Sequence, residues 1–267
     1  MHDDPTKLGQ SSPNDPVALA RRDLTKPLPR RFYKAVGVEA RGDQFILALD
    51  GRPVKTPAKT NLALPTRALA EAVAAEWRAQ VELIDPSTMP LTRLVNVALD
   101  GVAREPNAIV AEIAKYGNSD LLCYRANGPE KLVKAQAEAW DPILAASEAR
   151  LGARFVCGEG IVFVEQPART KEAVRAALET VQAQPFGHFR LAALHVMTAL
   201  TGSVLIALAI AAGETSVETA WAAAFVDENF QMGLWGEDPE AMAKRTRRFE
   251  EMAAAALLWR LVQLGAA

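Results

Sequence analysis

The hydrophobic period of this chain changes at Leu64-Pro65, and that change constrains its class. Before it the spacing is two. Residues 31–36 and 44–49 alternate apolar with polar and are bounded by turn residues, so both are predicted strands. Arg41-Gly42-Asp43 and Asp50-Gly51 are hairpin signals, the second a dipeptide that accepts the positive backbone angles of a primed turn. After the change, Leu69, Val73, Trp77 and Val81 trace one face of a helix that ends before Asp85-Pro86 and is placed to cover the sheet.

Beyond Pro90 the spacing is almost wholly helical, with segments at 91–103, 106–116, 129–151, 169–182 and 186–212 ahead of a final pair. Pro142 should kink or divide the third, because proline lacks a donor and clashes with the preceding turn. Residues 154–166 break the pattern with two apolar runs around Gly158 and Gly160, which read as short strands or an extended loop. No internal repeat is visible. The predicted fold class is α+β: a tail over 1–30, disordered or extended; a small antiparallel β-rich N-terminal domain over 31–84 with its covering helix; and a larger, mainly α-helical C-terminal domain over 85–267.

Half of the 267 residues are apolar, enough for a sizeable core. Thirty basic residues against thirty-two acidic ones leave a net charge of -2, which gives no global attraction to nucleic acid or an anionic membrane. The most apolar stretch, 191–212, is interrupted by His195, Thr198, Thr201, Gly202 and Ser203, so it reads as a buried central helix and not a membrane span. Cys123 and Cys157 are too few for a disulfide framework and lack metal-ligand spacing; buried thiols in a reducing compartment are expected. Asp3, Asp4 and Asp15 in the tail argue against an import sequence.

The final helical pair is joined by an acidic corner, residues 233–240. Thr215 and Glu218 form a capping box, after which Trp221, Phe225, Glu228 and Met232 recur on one helical face up to Gly233. Asp238 is the predicted cap of the next helix, with Pro239 and Glu240 in its first turn. On these residues alone Glu240 is a solvent-facing glutamate that favours the helix dipole. Glu228 sits on a stripe that reads as half-buried, where a carboxylate must be paired, protonated or presented to a partner. Trp221, Phe225 and Trp235 are the aromatic candidates for partner binding, with core packing as the plain alternative.

Catalytic signatures are missing. There is no glycine-rich phosphate loop and no glycine-flanked nucleophilic serine. His188 and His195 lie about 10 Å apart along one helix, too far to chelate one ion as a pair. The basic run from Lys244 to Arg248 winds around a helix and reads as a solvated or interface-rim face. An enzyme alternative stays open at this point, a hydrolase with Glu228, Glu237 and Asp238 in an interdomain cleft.

One resemblance covers nearly all the chain beyond the tail. Its residues are Arg31-Phe32-Tyr33-Lys34, Leu49-Asp50-Gly51-Arg52-Pro53, Lys55-Thr56-Pro57, Glu76-Trp77, Met89-Pro90-Leu91-Thr92 and Asp100. Further on it runs through Tyr116-Gly117-Asn118-Ser119-Asp120-Leu121-Leu122-Cys123-Tyr124-Arg125, Trp140-Asp141-Pro142 and Trp235-Gly236-Glu237-Asp238-Pro239-Glu240-Ala241. In order and spacing these motifs resemble the assembly chaperones that bind the free alpha subunit of the F-type ATP synthase. The resemblance implies a non-catalytic chaperone without cofactor or metal, which shields the alpha subunit's assembly surface until the beta subunit replaces it. It also places the family's functionally important acidic position on Glu240, with Glu237 and Asp238 beside it as further partner-binding candidates. The chain is expected to be a monomer when free and to work in a bacterial cytoplasm, or in the mitochondrial matrix were it eukaryotic.

Overall fold

The computed structural model describes residues 28–160 and 162–263. Strands β1 (Val36–Arg41) and β2 (Gln44–Leu49) form an antiparallel hairpin paired from Val36 with Leu49 to Arg41 with Gln44. At the next turn Asp50 and Gly51 have φ of 49° and 75°, the two positive angles that a primed turn requires. They lead into β3 (Arg52–Pro53), which pairs with β2, as does β4 (Ala63–Leu64).

The first predicted strand, 31–36, is displaced: β1 begins only at Val36. Its cause is a side chain. Asp50 accepts hydrogen bonds from the backbone N–H groups of Lys34 at 3.1 Å and Ala35 at 2.7 Å, so those donors are turned away from a ladder. Arg31 instead donates its N–H to Glu82 O at 2.9 Å, beside an antiparallel bridge between Arg30 and Leu83. Of the tail expected over 1–30, residues 1–27 lie outside the described part.

Helix α1 (Arg67–Arg78) covers the sheet, burying Leu69, Ala70, Val73 and Ala74. Thr66 caps it, accepting from Leu69 N–H at 3.0 Å and donating to Leu261 O at 3.1 Å. Val81, expected on its buried face, is 78 % exposed because the helix stops at Arg78. Gln80 draws the chain away there, donating to Glu76 O and accepting from Asp85 N–H.

The helical part begins with α2 (Pro90–Val97), which passes through a π turn at Ala98–Val102, and α3 (Pro106–Tyr116). Glu76 reaches across from α1 to cap α2. Its carboxylate accepts from Leu91 N–H, Thr92 N–H and Thr92 Oγ1 at 2.8, 2.7 and 2.6 Å, while burial pushes its pKa up. Asp100 makes a second tie, accepting from Thr56 Oγ1 at 2.6 Å and Ala58 N–H at 2.9 Å. Buried apolar side chains run as one cluster from Tyr33 in the sheet region to Val262 near the last helix's end.

A short strand, β5 (Tyr124–Arg125), precedes α4 (Glu130–Leu151). Helix α4 continues past Pro142 and is not divided there. In 154–166 the expected strands reduce to β6 (Gly158–Glu159), parallel to β5; the rest of the described loop is irregular. Then come α5 (Ala168–Ala183), α6 (Gly187–Thr201) and α7 (Val204–Ala211). The predicted helix over 186–212 is therefore two. Gly202, at φ 70°, closes α6, and Ser203 Oγ accepts from Ile206 N–H at 3.0 Å to open α7. Both pieces are buried in the middle of the molecule, as expected of this stretch.

The chain ends in α8 (Val217–Ala224), α9 (Val226–Trp235) and α10 (Pro239–Gln263). The second half of α10 buries Met252, Ala255, Leu258 and Val262, chiefly against α6.

Candidate functional site

The corner between α9 and α10 is built by three local devices. Ser216, and not the expected Thr215, caps α8, its Oγ accepting from Thr219 N–H at 3.1 Å. The stripe from Trp221 to Met232 is broken at Phe225, whose φ of -119° and ψ of 29° separate α8 from α9. Helix α9 runs past Gly233 and ends at Gly236, where φ 87° and ψ 175° are a conformation essentially reserved for glycine. Asp238 caps α10 as predicted: its Oδ1 accepts from Glu240 N–H and its carbonyl from Met242 N–H, both at 2.9 Å.

These elements bring four of the seven predicted site residues, Phe225, Glu228, Trp235 and Asp238, around one open groove of about 420 Å³. Met232 and Met242 add apolar surface, and Lys244, Arg245 and Arg248 line it with positive charge. Phe225 is the floor. The guanidinium carbons of Arg245 and Arg248 stand 5.0 and 5.3 Å from its ring centroid, within cation–π range, and Trp221 packs beneath it. Arg248 is also fixed by donating to Leu200 O at 3.0 Å.

Trp221 and Phe225 are buried, so they shape the groove more than they present surface. Glu228, expected on a half-buried stripe, is exposed, because the break at Phe225 rotates α9 relative to α8. Trp235 is the opposite case. It is 86 % exposed, with Leu234 beside it at 62 %. Water-facing tryptophan is costly to leave unpartnered, and such side chains concentrate binding energy at interfaces. Glu237 and Glu240 are exposed at the corner and do not line the groove. The carboxylates of the enzyme alternative thus sit at an open corner made by the last helices, without a contribution from the sheet.

A second groove, of about 650 Å³, lies on the other flank of α8 and α9, against α4. Sequence reasoning missed it. Its lining includes Ala135, Ala139, Ile143, Ala222 and Phe230, and the only signal was small residues at helical spacing on α4. The two thiols differ from expectation: Cys123 is buried but Cys157 is exposed. His188 and His195 both lie on α6, where burial lowers the pKa of His188. Among the described residues no cluster of histidine, cysteine and carboxylate side chains could hold a metal ion.

A model of the family described as ATP12 chaperone protein matches residues 30–148. The crystal structure of Atp12 from Paracoccus denitrificans is 40% identical, with a TM-score of 0.80, covering 88% of this chain and 98% of that one. The chain belongs to the ATP12 chaperone family.

Its members are chaperones of ATP synthase assembly. The Atu1473 protein of Agrobacterium tumefaciens has the same fold, at 43% identity and a TM-score of 0.83 over 94% of this chain and 92% of that one. Protein atp12, mitochondrial, of Schizosaccharomyces pombe is 25% identical over 258 residues, 91% of this chain and 87% of the relative. The α9–α10 corner lies outside the part matched by the ATP12 family model. The ATP12 relatives thus include a mitochondrial protein and bacterial ones, and among the described residues no helix is long and apolar enough to cross a membrane.

Proposed function

We propose that this chain is a non-catalytic chaperone that binds the unassembled alpha subunit of the F-type ATP synthase and shields its assembly surface until the beta subunit takes its place. Trp235 carries the reading: a fully presented indole stands beside a groove with an apolar floor and charged rims. That mixture suits a transient client, because a short-lived complex needs anchors without a large permanent apolar face. Glu240, Glu237 and Asp238 surround the tip as the polar rim, and Glu228 lines the groove wall. No nucleotide or metal enters this function, and its setting is the bacterial cytoplasm.

Co-elution tests the proposal. The purified chain is mixed with freshly refolded alpha subunit, passed through a sizing column, and run again after beta subunit is added, with aggregation followed by light scattering. A complex that forms with alpha, keeps it in solution and dissolves on adding beta is the expected result. Alpha that neither binds nor is protected would remove the client from the proposal and turn attention to enzymatic activity.

A further inference from the structure

Strands β5 and β6 are joined by two residue pairs in parallel register, Tyr124 with Gly158 and Arg125 with Glu159. Cys123, the last residue of a 3-10 turn over Leu121–Cys123, and Cys157, at the end of a loop, stand immediately before the two strands, where the two segments converge on that register. Adjacent strands lie about 4.8 Å apart. That spacing falls within the roughly 4.4–6.8 Å between Cα atoms that a disulfide spans. The side chains converge: Cys157 Sγ lies 3.9 Å from Leu122 O, the carbonyl of the residue before Cys123, and each thiol acts on the other's acidity. They are also unequal. Cys123 is sealed in the core, whereas Cys157 opens to solvent with the Arg125 guanidinium beside it.

We propose that Cys123 and Cys157 are a reversible dithiol–disulfide pair, in which Cys157 reacts first with a hydroperoxide and Cys123 completes the bond. The Cys157 thiolate attacks one peroxide oxygen, breaking the O–O bond; the sulfur becomes a sulfenic acid and hydroxide leaves, taking a proton to become water. Cys123 sulfur then displaces the sulfenic oxygen, which leaves with the Cys123 proton as a second water. Two thiols lose two electrons in all, and one hydrogen peroxide gains them.

The neighbouring Cys123 thiol, and after it the charge of Arg125, hold the Cys157 thiol down at about 6, while the Cys157 sulfur and burial push Cys123 up. Against an ordinary cysteine near 8.5, this raises the thiolate fraction at neutral pH about thirtyfold. A less basic thiolate is also a weaker nucleophile, which cuts the net gain to roughly two- or threefold. Proximity therefore decides the outcome: the sulfenic acid forms next to a buried thiol that has no other sulfur to meet, since these are the chain's two cysteines. Once formed, the bond ties the loop bearing exposed Val162 and Phe163 to the core.

The full-length reduced protein is treated with hydrogen peroxide at neutral pH, denatured, and its remaining thiols tagged with a polyethylene glycol maleimide. Wild type should lose both tags together as a monomer, yield one cross-linked peptide pair, and regain both tags after dithiothreitol. Cys123→Ser, or Cys123→Ala should the buried hydroxyl disturb folding, should stop at a dimedone-trappable sulfenic acid on Cys157. Cys157→Ser should keep its buried thiol over the same period. Two tags retained by treated wild type, loss only through bonds between chains, or no sulfenic acid in the Cys123 variants would each overturn the proposal.

Discussion

The rings of Trp221, on α8, and Phe225, the residue at which α8 gives way to α9, pack with their centroids 4.3 Å apart. Phe249 of α10 closes on the other side, 5.5 Å from Trp221. Three helices therefore meet on this pair, and the groove above it keeps its shape only while the stack holds. The tip of the corner, by contrast, rests on nothing: Leu234 and Trp235 face water. Support and contact are separate jobs here, given to residues no more than fifteen positions apart.

That separation predicts opposite outcomes for two truncations. Phe225→Ala should lower folding stability by about 3–5 kcal/mol, the range for emptying a buried aromatic site. Trp235→Ala should leave stability within about 0.5 kcal/mol. Its loss should appear instead in affinity for the alpha subunit, by about 2 kcal/mol or roughly thirtyfold. Urea unfolding and a binding titration on each variant check both halves. Unchanged affinity in a stably folded Trp235→Ala protein would take the tip out of the interface.

Glu240 stands in the first turn of α10, exposed, its backbone N–H on Asp238 Oδ1. Glu240→Ala and Glu240→Lys should both weaken protection of the alpha subunit from aggregation. The lysine change places a positive charge at the positive end of the helix dipole, a cost of about 0.3–1 kcal/mol, so it should also be slightly less stable than the alanine change. Light scattering during alpha refolding reads the first effect and thermal melting the second. Full protection by both variants would withdraw Glu240 from the client contact.

Asp120 is the buried carboxyl whose titration should be visible. Its Oδ1 accepts from Ser203 Oγ at 2.7 Å and Leu122 N–H at 3.1 Å, its Oδ2 from Leu205 N–H at 3.1 Å, yet burial outweighs these bonds and raises its pKa to about 6. An unfolded aspartate titrates near about 3.9, so between the two values the folded chain holds more proton. This group's contribution is therefore full below about pH 4 and is lost as the pH rises through 6. Asp120→Asn does not titrate. The stability of wild type relative to that variant should fall by on the order of 2–3 kcal/mol between pH 4 and pH 7, measured by urea unfolding at each pH. A difference independent of pH would mean that the carboxyl stays ionised throughout.

Local signals were legible wherever the cause was local. β2, the Asp50-Gly51 turn, α3 and the Asp238 cap each follow from a few adjacent residues. The sequence reading failed where a distant side chain intervened. Asp50 moved the start of β1, and the boundary between α6 and α7 is braced by Asp120, whose carboxylate receives Ser203 Oγ from the far side of the core. The residues that carried the family resemblance are largely such braces: Glu76 with Thr92, Asp100 with Thr56, Arg125 with Asp141 at 2.7 Å, and Trp140 Nε1 with Ala223 O at 2.7 Å. At the corner the right residues were visible but not their direction. Spacing alone could not say that Trp221 and Phe225 face inward, because the surface they pack against includes α10, later in the chain.

Helix α10 is built as a cantilever. Its 25 residues span about 37 Å. The root is clamped by Leu258, Trp259 and Val262 in the core, by Trp259 Nε1 on Ala211 O, and by Thr66 on Leu261 O; the clamp reaches forward through Glu251 on Arg93, Phe249 on Trp221 and Arg248 on Leu200 O, so that the turns ahead of Arg245 form the exposed tip. A beam held only at one end can flex at its tip without disturbing its anchorage. Fraying or bending of the first turns therefore changes the mouth of the groove while the core stays shut, and a client can be gripped and let go at the cost of local opening alone.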